Sequence, residues 1–279
     1  MMVVDAHVHF WDPGALRYPW LDDIPALRRP FLPRDYRGDA QALVFVEANC
    51  APHENADEVD LVERLAAGEP RIAGTVAFVD MLDEPRREMV LERLARNRRV
   101  VGVRHNIQGT PRGWCLDERF VRGVRAVGRR GYPFDLCVTA GQLRDVAAVV
   151  ERSPGTQFVL DHCGKPAIRN DAFDTWARDI ERLARFENVC CKLSGLLTEA
   201  RADQRNAASV GPYVKHACAC FGATRLLYGS DWPVLTLAGG LDVWRSMVDV
   251  FTVQWTANDR ERLFAGNAVQ LYRLAVHAD

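Results

Sequence analysis

The sequence predicts a (β/α)8 TIM barrel, an α/β fold, and three observations support that prediction. Eight short apolar runs recur along the 279 residues, and the segments between them carry apolar residues at helical spacing. Strands that alternate with helices favour a parallel sheet. Eight such units within about 250 residues are the usual size of this barrel. Because no Gly/Ser-rich linker or change of composition divides the chain, we expect a single domain over residues 1–279.

The eight predicted strands follow in chain order, with helices in the intervals between them. Helical spacing is clear at Phe173, Trp176 and Ile180, and Asp117 and Asp171 are predicted to cap helices at their N-termini. The interval 11–37 is rich in proline and aromatic residues, and we expect it to be a long loop that covers the mouth of the barrel. The strands are predicted at 3–10, 42–48, 72–79, 100–105, 132–138, 158–162, 189–194 and 226–231.

Composition and charge argue against several classes of protein, among them nucleic-acid-binding and membrane proteins. The formal net charge is −1, so the sequence predicts neither a nucleic-acid partner nor an anionic membrane surface. The first residues lack a basic segment followed by an apolar one, and no apolar run has membrane-spanning length. We therefore expect a cytoplasmic protein. The eight cysteines lie mostly in apolar runs without paired CxxC spacing, which predicts reduced core thiols.

Polar residues end the predicted strands, and they are the main functional signal. His7 and His9 alternate along the first strand, so their imidazoles should project from one face. In a barrel the carboxyl ends of all strands surround one cavity, and buried polar groups there need partners or a function. The residues concerned are His7, His9, Glu47, Arg104, His105, His162, Lys192, Ser194 and Asp231.

Several motifs near the strand ends resemble those of a known family. They are DAHVHFW at 5–11, YPW at 18–20, GVRH at 102–105, LDHCGKP at 160–166, CKLSGLLTEA at 191–200, YGSDWPV at 228–234 and FAGNA at 264–268. Across nearly the whole chain they resemble the amidohydrolase superfamily. More narrowly, they resemble its sugar-lactone and dicarboxylate-lactone hydrolases, a branch that includes L-fuconolactonase, L-rhamnonolactonase and 2-pyrone-4,6-dicarboxylate lactonase. The resemblance implies an amidohydrolase-like barrel that hydrolyses a lactone. It also implies roles as polarisers, possible ligands and base for His7, His9, His162 and Asp231.

The sequence departs from the two-metal pattern of that superfamily. The fourth strand ends in Arg104 and His105 without a bridging lysine, and the fifth carries no histidine. We therefore expect no binuclear centre. One divalent metal such as zinc is one alternative, and a metal-independent site is the other. The candidate ligands are His7, His9 and Asp231, with or without His162.

Lactone opening defines the chemistry that these groups would perform. It requires an activated water, a polarised carbonyl and a stabilised oxyanion. A carboxylate beside imidazoles can take a proton from water and return it to the leaving hydroxyl, so Asp231 is predicted as the general base. His7, His9 and His162, or one metal that they hold, would polarise the carbonyl.

A second group of residues is predicted to bind substrate. Arg104 offers a planar fork for a carboxylate or for two sugar hydroxyls, and a salt bridge to Glu47 is an alternative compatible with that role. Aromatic residues in loops suit the apolar face of a sugar ring. The full predicted set is Tyr18, Trp20, Glu47, Arg104, His105, Lys192 and Trp232.

The expected partner is a small-molecule lactone, and a neutral aldonolactone is favoured over a carboxylated lactone such as a pyrone dicarboxylate. Only Arg104 and Lys192 supply cations at predicted strand ends, and Glu47 opposes them. A metal-dependent decarboxylase and a non-catalytic sugar-binding barrel are further alternatives. The first would be expected to carry a histidine on the fifth strand, and the second would leave Asp231 and the histidines without a purpose.

Overall fold

A computed structural model describes residues 1–276 of the chain and confirms the predicted barrel. Eight strands form one sheet in sequence order, and the neighbouring strands in that order pair in parallel. Each strand lies within its predicted interval and is shorter than predicted. The strands are β1 (Val4–Val8), β2 (Ala42–Val46), β3 (Ile72–Phe78), β4 (Val100–Arg104), β5 (Phe134–Leu136), β6 (Phe158–Leu160), β7 (Val189–Leu193) and β8 (Leu226–Tyr228).

Hydrogen bonds between the ends of β1 and β8 close the barrel. The Asp231 N–H donates to His7 O at 2.9 Å, and the His9 N–H donates to Trp232 O at 2.7 Å. The buried Asp5 carboxylate adds a third link, because it accepts the Ser230 N–H at 2.8 Å. This closure brings the first histidines of the chain beside an aspartate more than two hundred residues later.

Helices connect the strands from β2 onwards, and three more follow β8. A short π-helical turn, Arg262–Gly266, lies between the last two. The helices are α1 (Asn55–Gly68), α2 (Glu84–Leu94), α3 (Glu118–Arg129), α4 (Leu143–Glu151), α5 (Phe173–Ala184), α6 (Ala207–Phe221), α7 (Leu241–Phe251), α8 (Ala257–Glu261) and α9 (Asn267–Tyr272). None of the helices within 1–276 is long and apolar enough to span a membrane.

The connection from β1 to β2 breaks the strand and helix alternation. Residues 9–41 form short 3-10 turns at Pro19–Asp23, Pro25–Leu27 and Pro33–Asp35 and no α-helix. Proline fixes φ and has no N–H to donate, so its recurrence here favours short turns over a continuous helix.

Trp11 anchors this connection against the barrel. Its buried indole donates through Nε1 to Leu27 O at 3.1 Å and to Arg29 O at 3.0 Å. The ring centroid lies 5.4 Å from that of Phe31 and 6.4 Å from that of His9. The connection therefore packs over the end of β1, where the first histidines lie.

One of the two predicted helix caps is confirmed. Asp117 precedes α3, and its side chain accepts the Arg119 N–H at 2.8 Å. Asp171 does not cap α5, so that prediction is wrong. It ends a preceding 3-10 turn with φ of 53°, and its carboxylate accepts an N–H of Gln204. Aspartate tolerates this left-handed conformation, which turns its side chain away from the helix that follows.

Apolar side chains and one tyrosine fill the barrel interior. Val44 of β2, Val159 of β6 and Leu227 of β8 belong to one buried cluster. Tyr272 of α9 is part of the same cluster. The Tyr272 hydroxyl donates to the Asp135 carboxylate at 3.0 Å. The last helix thus reaches into the barrel and contacts a charged residue of β5.

Candidate active site

Three imidazoles converge on one carboxylate at the carboxyl end of the barrel. Asp231 Oδ1 lies 3.5 Å from His9 Nε2, 3.8 Å from His7 Nε2 and 3.8 Å from His162 Nε2. All four side chains are buried. The structure therefore brings together the residues that the sequence singled out as catalytic candidates, and we refer to them as the His–Asp cluster.

Two members of the cluster have left-handed backbones. His162 has φ of 53° in a tight turn after β6, and Asp231 has φ of 64° after β8. Non-glycine residues held in this region often lie at functional sites. Gly195 leaves room for the His162 imidazole, because a Cβ at position 195 would lie 2.7 Å from His162 Nδ1. The glycine allows the turn after β7 to approach the imidazole closely.

Hydrogen bonds orient the imidazoles. His9 Nδ1 is 2.7 Å from Val46 O, which can only accept, so Nδ1 carries the proton and Nε2 presents a lone pair. His7 Nε2, at 3.2 Å, then donates to His9 Nε2, and His7 Nδ1 accepts from Lys192 Nζ at 3.2 Å. His162 Nδ1 lies 2.8 Å from Ser194 Oγ. Each ring is thus held from its outer side.

A network of buried charges lies against the cluster. Lys192 Nζ is 2.5 Å from Asp135 Oδ2 and 3.0 Å from Asp161 Oδ1. Arg104 Nη1 is 3.2 Å from Asp161 Oδ2, and its Nε is 2.6 Å from Glu47 Oε1. These five side chains are at most 3% exposed. Burial of this many charges is tolerated because each one faces an opposite charge.

The protonation states follow from burial and from these neighbours. Burial lowers the pKa of both His7 and His162 well below the ordinary value, despite the opposing effect of nearby aspartates. For Asp231, burial acts to raise the pKa, but His162 and His9 outweigh it and the pKa is lowered. At neutral pH the Asp231 carboxylate therefore faces the neutral imidazoles of His7 and His162, the states that a base and its electrophilic partners need.

Three residues that were predicted to bind substrate instead form hydrogen bonds and ion pairs with other protein groups. Lys192 is fully buried beneath the cluster and does not face the opening. The Glu47 carboxylate accepts from Arg104 Nε and from the Asn49 N–H at 2.8 Å, and Glu47 O accepts from Arg104 Nη2. Of the two alternatives for Arg104, the salt bridge to Glu47 is present. The physical reason is that an unpaired charge inside the barrel would destabilise the fold, so each buried charge is paired with an opposite charge of the protein.

Two other predicted binding residues lie outside the cluster. His105 follows Arg104, and consecutive residues of a strand face opposite ways. Its Nδ1 accepts the Met81 N–H at 3.1 Å, and its ring packs against Phe78. Trp232 is 3% exposed because its ring packs against the aromatic side chains of Phe10, Phe31 and Tyr36 beneath the first connection.

The first connection supplies the remaining two predicted binding residues. Trp20 is half-buried, donates through Nε1 to Ala48 O at 2.8 Å and meets Trp11 edge-on. Tyr18 is 1% exposed, and its hydroxyl has no hydrogen-bond partner among residues 1–276. Both rings thus help to fix the connection, and Trp20 alone of the two keeps an accessible surface.

Sequence reasoning missed two carboxylates that organise the site, Asp135 and Asp161. Asp161 directly precedes His162, and Asp135 interrupts the apolar run of the fifth predicted strand. A lone acidic residue within an apolar strand was a signal that could have been followed, since such a residue needs a buried partner. The structure supplies that partner in Lys192 for both of them.

Comparison with known proteins identifies the family of the chain. The family described as amidohydrolase matches residues 4–274. This chain belongs to the amidohydrolase family. The matched residues run from β1 through α9, so they include the complete barrel and the His–Asp cluster. The resemblance of the sequence motifs and the barrel fold are both confirmed.

Several relatives resemble this amidohydrolase along its whole length. It is 35% identical to L-fucono-1,5-lactonase of Burkholderia multivorans over 296 residues, which cover 99% of this chain and 97% of the relative. A crystal structure of an amidohydrolase from B. multivorans with bound zinc has a TM-score of 0.87 and 32% identity, and covers 98% of this chain and 100% of that one. The same fold is found in a probable 2-pyrone-4,6-dicarboxylic acid hydrolase from Acinetobacter baumannii. The TM-score is 0.78 at 13% identity, and the match covers 98% of this chain and 100% of that one.

The cluster of this amidohydrolase fits a single divalent ion. His7, His162 and Asp231 each offer one ligand atom, and these atoms lie within 4.8 Å of one another. Ligands about 2.1 Å from a tetrahedral zinc ion lie about 3.4 Å apart, so separations of this size suit one ion. His9 Nε2 also faces the cluster with its lone pair. Asp161 Oδ1 lies 3.2 Å from His7 Nδ1, so it can accept a proton there and free His7 Nε2 for a metal.

We expect the purified protein to hold at most one tightly bound divalent ion per chain. Within residues 1–276 the structure shows one group of side chains of this kind, and Asp135 of β5 is occupied by Lys192. Elemental analysis after extended dialysis measures the stoichiometry. His162→Gln should reduce any bound metal, whereas His53→Gln, at a histidine with an 80% exposed side chain, should not. Two stoichiometric ions per chain would contradict this expectation.

Proposed function

We propose that this amidohydrolase hydrolyses a sugar-acid lactone to the corresponding aldonate. The observation that carries the proposal is the buried Asp231 carboxylate, which faces three imidazoles at the mouth of the barrel. A relative of 35% identity over nearly the full length is an L-fucono-1,5-lactonase, which supports a lactone as the substrate. The proposed enzyme class is therefore a hydrolase of carboxylic ester bonds.

The proposed mechanism assigns the proton transfers to Asp231. As a carboxylate it accepts a proton from water while the water oxygen bonds to the lactone carbonyl carbon. When the ring C–O bond breaks, Asp231 returns the proton to the leaving oxygen. His7, His9 and His162 line the same space and orient the carbonyl oxygen. A divalent ion held by His7, His162 and Asp231, for which we propose zinc, would polarise the carbonyl and lower the pKa of the attacking water.

The charges of the site support a neutral lactone over a carboxylated one. Arg104 and Lys192 are the two cations that were predicted to bind substrate and that could have paired with a substrate carboxylate. Buried acidic side chains of the protein form ion pairs with both of them. Three carboxylates, Glu47, Asp135 and Asp161, surround these two cations. Recognition of a dicarboxylate requires a cation with free donors for each of its two charges, because desolvating both charges is costly. We therefore favour an aldonolactone over a pyrone dicarboxylate.

A hydrolysis panel tests the proposal. Five- and six-membered aldonolactones of several configurations and a pyrone dicarboxylate are incubated with the protein, and acid release is followed with a pH indicator. Spontaneous opening is subtracted, and Asp231→Asn serves as the matched control for catalysis. We expect hydrolysis of at least one aldonolactone, faster than that of the pyrone dicarboxylate. Faster hydrolysis of the pyrone would reverse the substrate assignment. Tight calorimetric binding of an intact sugar without hydrolysis would favour the binding barrel, and carbon dioxide release would favour a decarboxylase.

A further inference from the structure

A third cation, Lys165, lies beside the His–Asp cluster. It follows the turn Asp161–Gly164 that carries His162, and its own φ of 45° directs the chain away from β6. Its backbone N–H donates to His162 O at 2.9 Å. The side chain is half-buried at the opening of the barrel. Lys165 is therefore fixed at its backbone to a catalytic candidate, while its side chain remains partly exposed.

The hydrogen-bonding state of Lys165 differs from that of the other two cations. Lys192 Nζ donates to Asp135 Oδ2 and to His7 Nδ1, and it lies 3.0 Å from Asp161 Oδ1. Lys165 Nζ donates to Gln108 Oε1 at 2.5 Å, and its other two N–H groups meet no acceptor in the part of the chain that the structure describes. An ammonium with two available donors can bind an anionic oxygen at the mouth.

The charge of Lys165 acts on the cluster itself. Burial acts to lower the pKa of Lys165, but Cys137, Asp231 and Glu199 outweigh it and raise the pKa, so the ammonium remains charged. In turn Lys165 contributes to lowering the pKa of Asp231 after the effects of His162 and His9. Lys165 and Asp231 thus each favour the charged form of the other.

Lactone hydrolysis creates the anion that such a group would bind. The substrate is neutral, and negative charge develops on the carbonyl oxygen as the water oxygen adds to the carbon. The ring C–O bond then breaks, the leaving oxygen receives the proton held by Asp231, and the carboxylic acid product loses a proton to solvent as an aldonate. Lys165 keeps its own protons throughout these steps, so it changes neither the atom nor the charge balance.

We propose that Lys165 contacts the substrate acyl group and binds its developing negative charge, with Gln108 as the residue that positions the ammonium. The proposal rests on the proposed lactone hydrolysis. Gln108 restrains a long side chain whose rotamer freedom would otherwise oppose binding. Because the negative charge is present in the product and absent from the substrate, Lys165 should affect aldonate binding more than lactone binding.

Product inhibition and ligand-induced thermal shifts test this role. Lys165→Gln removes the charge, Lys165→Met retains the aliphatic stem as a second neutral variant, and Lys165→Arg restores the charge. Arg169→Gln is the matched control, because it removes a positive charge from the same loop at an exposed side chain that bonds to backbone carbonyls. The probes are the aldonate product of the best lactone in the panel and the neutral alditol of the same configuration.

We expect the neutral Lys165 variants to weaken aldonate inhibition about ten-fold and to lower kcat/KM by a similar factor, as for loss of one charged hydrogen bond. Their response to the alditol should stay within about two-fold, and Lys165→Arg and Arg169→Gln should resemble the unmodified protein. Unchanged aldonate inhibition in Lys165→Gln and Lys165→Met, in a protein that hydrolyses lactones, would overturn the role of Lys165 alone. If the unmodified protein neither hydrolyses a lactone nor shifts its melting temperature with any aldonate, the proposed function and the role of Lys165 both fail.

Discussion

Replacing Asp231 by asparagine is expected to lower kcat by at least about a hundred-fold while the protein stays folded, the scale typical of losing a general base. The amide cannot accept the proton of the attacking water, so the imidazoles that face it lose their catalytic partner. Asparagine suits this position because it adopts positive φ readily, and Asp231 has φ of 64°. The substitution therefore tests chemistry without adding backbone strain.

Asp171→Asn is the matched control for this experiment. Asp171 is exposed, lies away from the cluster and also has a positive φ, at 53°. The same exchange there should leave kcat within about two-fold, because the side chain is exposed and the asparagine oxygen can still accept from Gln204. Steady-state kinetics on the best lactone, with circular dichroism to verify folding, provides the comparison. Turnover near that of the unmodified protein in Asp231→Asn would remove Asp231 from the mechanism.

Lys192→Met is expected to lower the free energy of unfolding by about 3–5 kcal/mol, the cost of leaving buried charges without a partner. Burial alone would lower the pKa of Lys192, but Asp135 and Asp161 outweigh it and raise the pKa, so the lysine is charged in the fold. Methionine has a similar length and supplies no countercharge. Burial also raises the pKa of Asp135 to about 6, so this carboxyl would take up a proton more readily once Lys192 is gone.

The double variant Lys192→Met/Asp135→Asn separates charge from packing. It should recover part of the loss, because it removes the Asp135 carboxylate, which has lost its cation, whereas Asp161 keeps Arg104. Lys215→Met is the matched control, since Lys215 is the third and last lysine of the sequence and lies exposed on α6. That change should stay within about 0.5 kcal/mol. Urea denaturation followed by tryptophan fluorescence gives the free energies. A loss below 1 kcal/mol in Lys192→Met would show that the ion pairs contribute little.

Periodicity predicted most of the fold, and the positions of strand ends predicted the core of the site. All eight strands follow from apolar runs, and His7, His9, His162 and Asp231 follow from the rule that strand ends of a barrel converge. The long first loop was also predicted, from its prolines and aromatic residues. Its turns and anchoring contacts were not, because tertiary contacts such as those of Trp11 decide how a long connection packs.

The direction in which each polar side chain points was not predictable. Arg104 and His105 are neighbours in sequence, yet one joins the buried network and the other packs against Phe78. Arg104 meets Asp161, and Lys192 meets Asp135, across 57 residues of chain each. A single sequence shows that these charges exist but does not pair them, because pairing depends on strand register and on side-chain length.

The closing contacts of the barrel also determine when activity can appear during folding. Ser230 and Asp5 are separated by 225 residues, Lys192 and His7 by 185, and Tyr272 and Asp135 by 137. Such distant contacts form late, because the entropy of closing a long loop must be overcome before they contribute any stability. A chain folded only through β7 contains both buried cations but lacks Asp231 and the tyrosine that braces Asp135. The His–Asp cluster is therefore complete only when the segment after β8 has joined β1.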